Sequence, residues 1–179
     1  MKKLLFLALL VVFSVNLTSA QVFMSRGEVD ELTRSYNDFT MNWEAYMASK
    51  GAEGTKELSK GIFKLAGKIK TYNYQFERDS DPIAPKRTDL NIKLREIGAD
   101  FTDPYNQVVG VSLSSSDLEK MSQHSANMTR LKEEFRQKRY KINLGDQEMV
   151  SQLESFKNSA RICLEIQKTA FLQAYNERN

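Results

Sequence analysis

Cysteine, histidine and proline are nearly missing from this chain. Cys163 is the only cysteine and His124 the only histidine, with three prolines and eight glycines in 179 residues. A single cysteine excludes an intrachain disulfide, so the fold must rest on packing. In an apolar helical pattern Cys163 reads as a small buried hydrophobe. One cysteine and one histidine also fall short of a zinc site of the usual Cys/His ligation. A di-iron bundle would need Glu-x-x-His on two helices, and Met121 stands three residues before His124.

The same scarcity thins out nucleophilic catalysis. His124 is the only imidazole base on offer. Ser122 and Ser125 lie too close to it along a helix to face it. Cys163 would meet it only if two helices aligned them. Asp79 and Asp81 open like a calcium loop, but Ala84 and Leu90 occupy the positions that need Gly and Glu. Asp100 and Asp103 read as ordinary loop acids. A glycine-rich phosphate loop is absent. No catalytic residue, metal ligand or cofactor is assigned, and the chain is expected not to be an enzyme.

Long hydrophobic runs are confined to the start. In MKKLLFLALLVVFSVNLTSA, Lys2 and Lys3 precede an apolar run from Leu4 to Val15, and Thr18, Ser19 and Ala20 are small residues before Gln21. That layout predicts a signal peptide cut after Ala20. The run is too short to span about 30 Å of hydrocarbon as a helix. The expected mature chain, 21–179, has 159 residues and the size of one domain. It is expected to be secreted, into a periplasm or outside the cell. Two lysines leave with the signal, so 26 basic against 23 acidic residues become 24 against 23, a net of +1. The basic surplus of the full chain therefore gives no argument for a nucleic-acid partner.

What is abundant is helical. Lys, Glu, Leu, Met and Gln, all good helix formers, are well represented, and all three prolines fall between Asp79 and Val109. Val29, Leu32, Tyr36, Phe39, Trp43 and Met47 recur at steps of 3 or 4, predicting a helix over about 26–49 that Gly51 and Gly54 end. Leu58, Ile62, Leu65, Ile69, Tyr72 and Phe76 predict a second over about 55–78, with Thr55 as its N-cap. The third is expected from Ser115 or Ser116 to about Asn143. Met121, Met128, Phe135 and Ile142 form a heptad whose intervening positions are Leu118, Ser125, Lys132 and Arg139. The fourth runs from a cap at Asp146 to about Glu177, with Met149, Leu153, Phe156, Ala160, Cys163, Gln167, Ala170 and Ala174 on one face. Between the pairs, residues 79–114 form an irregular crossover with a short helix near 88–98 and a briefly extended stretch before the serine run. The expected fold is all-α, an antiparallel bundle of four long helices, two helical hairpins joined by that crossover.

Three surface features remain for function. Lys56, Lys60, Lys64 and Lys68 step by four along one ridge, a repulsive spacing that an offsetting acidic group must answer, and Phe63 projects toward it. The answer lies either in neighbours such as Asp30, Glu31 or Asp38, or in an anionic surface outside the protein. A second basic cluster comprises Arg130, Lys132, Arg136, Lys138, Arg139 and Lys141, partly neutralised by Glu133 and Glu134. Tyr36, Phe39, Trp43, Tyr72 and Phe76 meet across the first hairpin, as packed core or as an apolar pocket. Asn127-Met128-Thr129 matches the N-glycosylation pattern. The expected role is binding of another protein, a second copy or a surface through exposed helix faces. The alternatives are an apolar or lipid ligand between the helices, or an anionic membrane on the lysine ridge.

Overall fold

A computed structural model of the protein describes residues 21–50, 54–79, 108–138 and 142–178. Four helices carry the architecture: α1 (Arg26–Ala48), α2 (Thr55–Asp79), α3 (Ser115–Gln137) and α4 (Gln147–Arg178). Each packs against its neighbours in sequence, and α4 returns to α1. Contacts along each pair run in opposite residue order. Glu31 meets Lys68 and Phe39 meets Gly61; Phe63 meets Lys132 and Glu77 meets Ser122; Met121 meets Gln167 and Asn127 meets Ser155. The fold is all-α in character, as the periodicity predicts.

The core is a column of apolar side chains taken from all four helices. Phe39, Leu58, Ile62, Leu65, Met121, Leu153, Phe156 and Cys163 are fully buried. Phe39 and Phe156 meet at 5.2 Å between ring centroids, which joins α1 to α4. Stripes of 3.6-residue period on amphipathic helices bury such a column by facing inward together.

A feature the composition hides is a two-stranded antiparallel ribbon, β1 (Gln21–Ser25) with β2 (Val108–Ser112). Val22 pairs with Val111 and Met24 with Val109, and all four side chains are buried. β1 runs directly into α1. Ser25 closes the junction with a capping box: its hydroxyl accepts from the Glu28 N–H at 3.3 Å, and the Glu28 carboxylate accepts from the Ser25 N–H at 2.8 Å. The ribbon lies against α1, α2 and α4, at the end where α1 and α3 begin. The extended stretch expected before the serine run is β2, whereas β1 was not expected.

Several boundaries and positions differ from the sequence reading. The cap of α3 is Ser114, one residue before the expected serines; its hydroxyl accepts from the Asp117 N–H at 3.1 Å. Thr55 is the first helical residue of α2, and Gly54 takes the cap position with φ of 85°. α1 ends on Ser49, with Lys50 at φ 52° in the left-handed region where glycine was expected. α3 stops at Gln137 rather than near Asn143, and Asn143 and Leu144 lie in the turn before α4. Asp146 caps α4 as expected, accepting from the Met149 N–H at 3.2 Å. On α1, Tyr46 is buried in place of Met47, because its hydroxyl donates to the Ile142 carbonyl at 2.8 Å. On α3, Leu131 takes the core position that a strict heptad gives to Lys132. Ser125, a polar heptad position, is buried, but an α-helix of 3.6 residues per turn drifts from a 3.5 repeat, and one heptad on the core position has passed from Lys132 to Leu131. The expected short helix near 88–98 and Asp81, Asp100 and Asp103 lie outside the described residues.

Candidate functional site

The outer face of α2 is where the sequence signals and the structure coincide most closely. At about 100° per residue, Lys56, Lys60, Lys64, Gly67, Lys70, Thr71 and Tyr74 share the side opposite the buried stripe, with Phe63 among them. All are exposed; Phe63 and Tyr74 each keep 52 % of their surface open. Lys56, Lys60, Lys64 and Lys70 have no carboxylate partner among the described residues.

Lys68 parts from the expected ridge. Its ammonium pairs with Glu31 of α1, and only 21 % of its side chain is exposed. That hydrogen bond, with the charge of Lys68, holds the Glu31 carboxyl below its ordinary range, and Lys64 and Arg34 add to the effect. Glu31 thus answers part of the ridge's repulsion, as one of the three acids expected to do so. Asp30 is instead occupied by Arg26 at 3.9 Å. Lys70, outside the four-residue spacing, was missed by the sequence reading. It falls on the open face because seven residues make almost two full helical turns.

Phe63 is held from beside. The Lys132 ammonium of α3 sits 5.0 Å from its ring centroid, a cation–π arrangement. Lys132 also lies 3.6 Å from the Glu133 carboxylate, with 16 % of its side chain exposed. One residue of each expected basic group therefore meets the other. The rest of the second cluster is paired on its own helix: Arg130 with Glu134 and Asn127, and Arg136 with Glu133 at 2.8 Å. Lys138 closes the end of α3, and Arg139 and Lys141 lie outside the described residues.

The aromatic group sits inside the bundle. Phe39, Trp43, Tyr72 and Phe76 are buried and Tyr36 is packed at the core's edge. Trp43 stacks on Tyr46 and donates its indole N–H to Glu154 at 2.8 Å. Phe39 and Trp43 thus both reach α4, through Phe156 and Glu154.

His124 joins a polar seam between α3 and α4. Its Nδ1 lies 3.2 Å from the Ser159 hydroxyl, which also accepts from the Asn127 amide at 3.0 Å. Histidine beside serine resembles the start of a nucleophilic pair. Yet Ser159 is 3 % exposed, so a substrate carbonyl has no approach to its oxygen. Asn127 also donates to Ser155 at 3.2 Å, and its amide oxygen accepts from Arg130 at 2.8 Å, so the asparagine of the glycosylation pattern is spoken for inside the seam. Cys163 donates to the Met121 carbonyl from a buried position, and burial pushes its thiol up to about 12. A shallow groove of about 520 Å³ runs between α4 and the start of α3, past Leu113, Asp117, Glu165 and Ile166. Its two acids are engaged, Asp117 at the α3 cap and Glu165 with Arg161 at 2.7 Å. Among the described residues no three His, Cys, Asp or Glu gather closely enough to hold a metal ion, and no helix is long and apolar enough to cross a membrane.

No family model matches the chain, and no curated protein or solved structure matches it.

Proposed function

We propose that the protein is exported and acts without catalysis, as a binding module that presents the outer face of α2 to a polyanionic partner. The observation that carries this reading is the set of lysines at 56, 60, 64 and 70, exposed and without a carboxylate partner among the described residues, around an exposed Phe63. Like charges at helical i,i+4 spacing repel, and among the described residues these four have no carboxylate partner while Lys68 has Glu31. An external anion relieves that repulsion, so binding and the ridge support each other.

Export is part of the proposal because the signal layout ends at Ala20, directly before the ribbon strand Gln21 to Ser25. Charge binding is tested by titrating residues 21–179 with long-chain polyphosphate as a soluble polyanion. The expected result is saturable binding that weakens steeply with salt, because exposed charges are screened over about 10 Å at 0.1 M ionic strength. Exchange of Lys60 and Lys64 for glutamine should weaken it further. Equal binding by the double variant would remove α2 from the reading.

A further inference from the structure

The partner that this face fits is the headgroup region of a bilayer containing anionic lipid, and we infer that α2 lies along such a surface with Phe63 entering it. This rests on the proposed reading of α2 as an anion-binding face and names its occupant. Three observations favour a lipid surface over an acidic protein.

The first is shape. The face is the outer side of one helix, and Lys56 to Tyr74 spans about 27 Å at 1.5 Å per residue. A convex ridge of that length meets a plane along its whole extent, whereas a protein hot spot is a packed pocket. The second is residue type. From Lys56 to Tyr74 every base is lysine and none is arginine. Lysine is a hydrated point charge on a flexible stem, suited to the smeared charge of headgroups. Arginine, with its bidentate fork, is the base enriched in protein interfaces, where lysine is depleted. The third is the aromatic placement. Phe63 and Tyr74 stand half open among the lysines, 11 residues apart and so on one side of the helix. Lysines beside exposed aromatic rings match a helix seated at the headgroup boundary, its rings in the interface and its ammonium groups on phosphate. Gly67, between them, meets nothing within 4 Å even with a Cβ added, so no side chain stands proud of the rings there.

The test uses residues 21–179 with vesicles of phosphatidylglycerol mixed into phosphatidylcholine, vesicles of phosphatidylcholine alone, and polyphosphate. Co-sedimentation is expected with the anionic vesicles only. Each lysine changed to glutamine should lower the partition coefficient about fivefold, so Lys60→Gln with Lys64→Gln should lower it about 25-fold. Phe63→Ser should cost the vesicles about tenfold while leaving polyphosphate binding in place, since it removes ring burial and no charge. Phe63 is half exposed and its one ring contact among the described residues is the Lys132 ammonium, so this variant should stay folded and lose no more than about 1 kcal/mol of stability. Phe63→Trp gives the positive signal, a blue-shifted emission on anionic vesicles; the native Trp43 is 2 % exposed and contributes a constant background. Polyphosphate binding without vesicle binding would overturn the lipid assignment and keep the anion face. So would vesicle binding indifferent to Phe63→Ser. Concentration-dependent self-association lost in the lysine variants, with vesicles unbound, would hand the face to a second copy. Binding of neither probe would sink both readings.

Discussion

At the scale of single residues, burial decides what chemistry is left. Cys163 has the only thiol, it is fully buried, and its pKa stands near 12 against an ordinary 9.0 because desolvation disfavours the thiolate. Thiolate is the reactive form, so native protein should react with thiol reagents far more slowly than urea-unfolded protein, in a timed alkylation followed by mass. The same shift fixes a pH dependence. Between about pH 9 and 12 the unfolded chain releases a proton that the native chain keeps. Stability from this group is therefore complete below pH 9 and declines by at most about 1.4 kcal/mol per pH unit above it. Urea midpoints across that range should fall in the native protein, with a shallower fall in Cys163→Ala. Two glycines of α2 separate in the same way. A Cβ on Gly67 meets nothing, so Gly67→Ala should stabilise by about 0.5–1 kcal/mol through helix propensity alone. A Cβ on Gly61 lands 3.5 Å from the Phe39 Cα, where α1 and α2 approach closely. Alanine fits there, but Gly61→Leu should destabilise by about 1–3 kcal/mol through overpacking, and thermal melts of the three variants check the order.

At the scale of elements, caps and strands carry what the helical period does not announce. Helix existence was legible because Leu58, Ile62, Leu65, Ile69, Tyr72 and Phe76 keep one stripe, and the structure buries all six. The fourth helix was equally plain from Met149 to Gln167. The heptad of α3 misled, because Lys132 held the repeat while Leu131 beside it had the apolar side chain. β1 was illegible for a different reason. Five residues are too few to establish alternation, and its partner Val108–Ser112 lies across a separation that no local pattern spans. On α2, the four-residue spacing picked out Lys56, Lys60 and Lys64, which the structure leaves exposed, together with Lys68, which it pairs with Glu31, and passed over the exposed Lys70, since pairing with α1 is a tertiary fact. Ser25 belongs to both kinds of element, as the last residue of β1 and the cap of α1. Ser25→Ala removes the acceptor for the Glu28 N–H and should cost about 1 kcal/mol. Met24→Ala, one residue earlier in a fully buried site, should cost about 2–5 kcal/mol. A smaller loss at Met24 than at Ser25, by urea unfolding, would mean that the ribbon is not a working part of the core.

At the scale of the molecule, near-neutrality conceals a separation of charge. α1 carries five acids against two arginines, a net of −3, and α2 carries five lysines and Arg78 against three acids, a net of +3. α3 and α4 each balance four against four. The hairpin of α1 and α2 is thus polarised across its width, with Lys68 and Glu31 joining the halves and the remaining lysines turned outward. On the proposed reading of α2, such a field would orient the molecule toward an anionic surface before contact. Holding the outward lysines together has a cost inside the fold. Lys60 stands four residues from both Lys56 and Lys64, and each like-charge pair opposes the helix by about 0.2–0.5 kcal/mol. Lys60→Gln removes both pairs, so it should raise stability by about 0.5–1 kcal/mol at low ionic strength while it weakens anion binding. The gain should vanish near 1 M salt, where screening acts within about 3 Å. A ridge that served only to solvate the bundle would show the gain in stability without the loss of binding. A ridge paired within the fold would show a loss of stability instead. Melting curves of parent and variant at low and high salt, set beside their polyphosphate titrations, separate the three, because only a face used for binding couples the gain in stability on losing Lys60 to a loss of anion affinity.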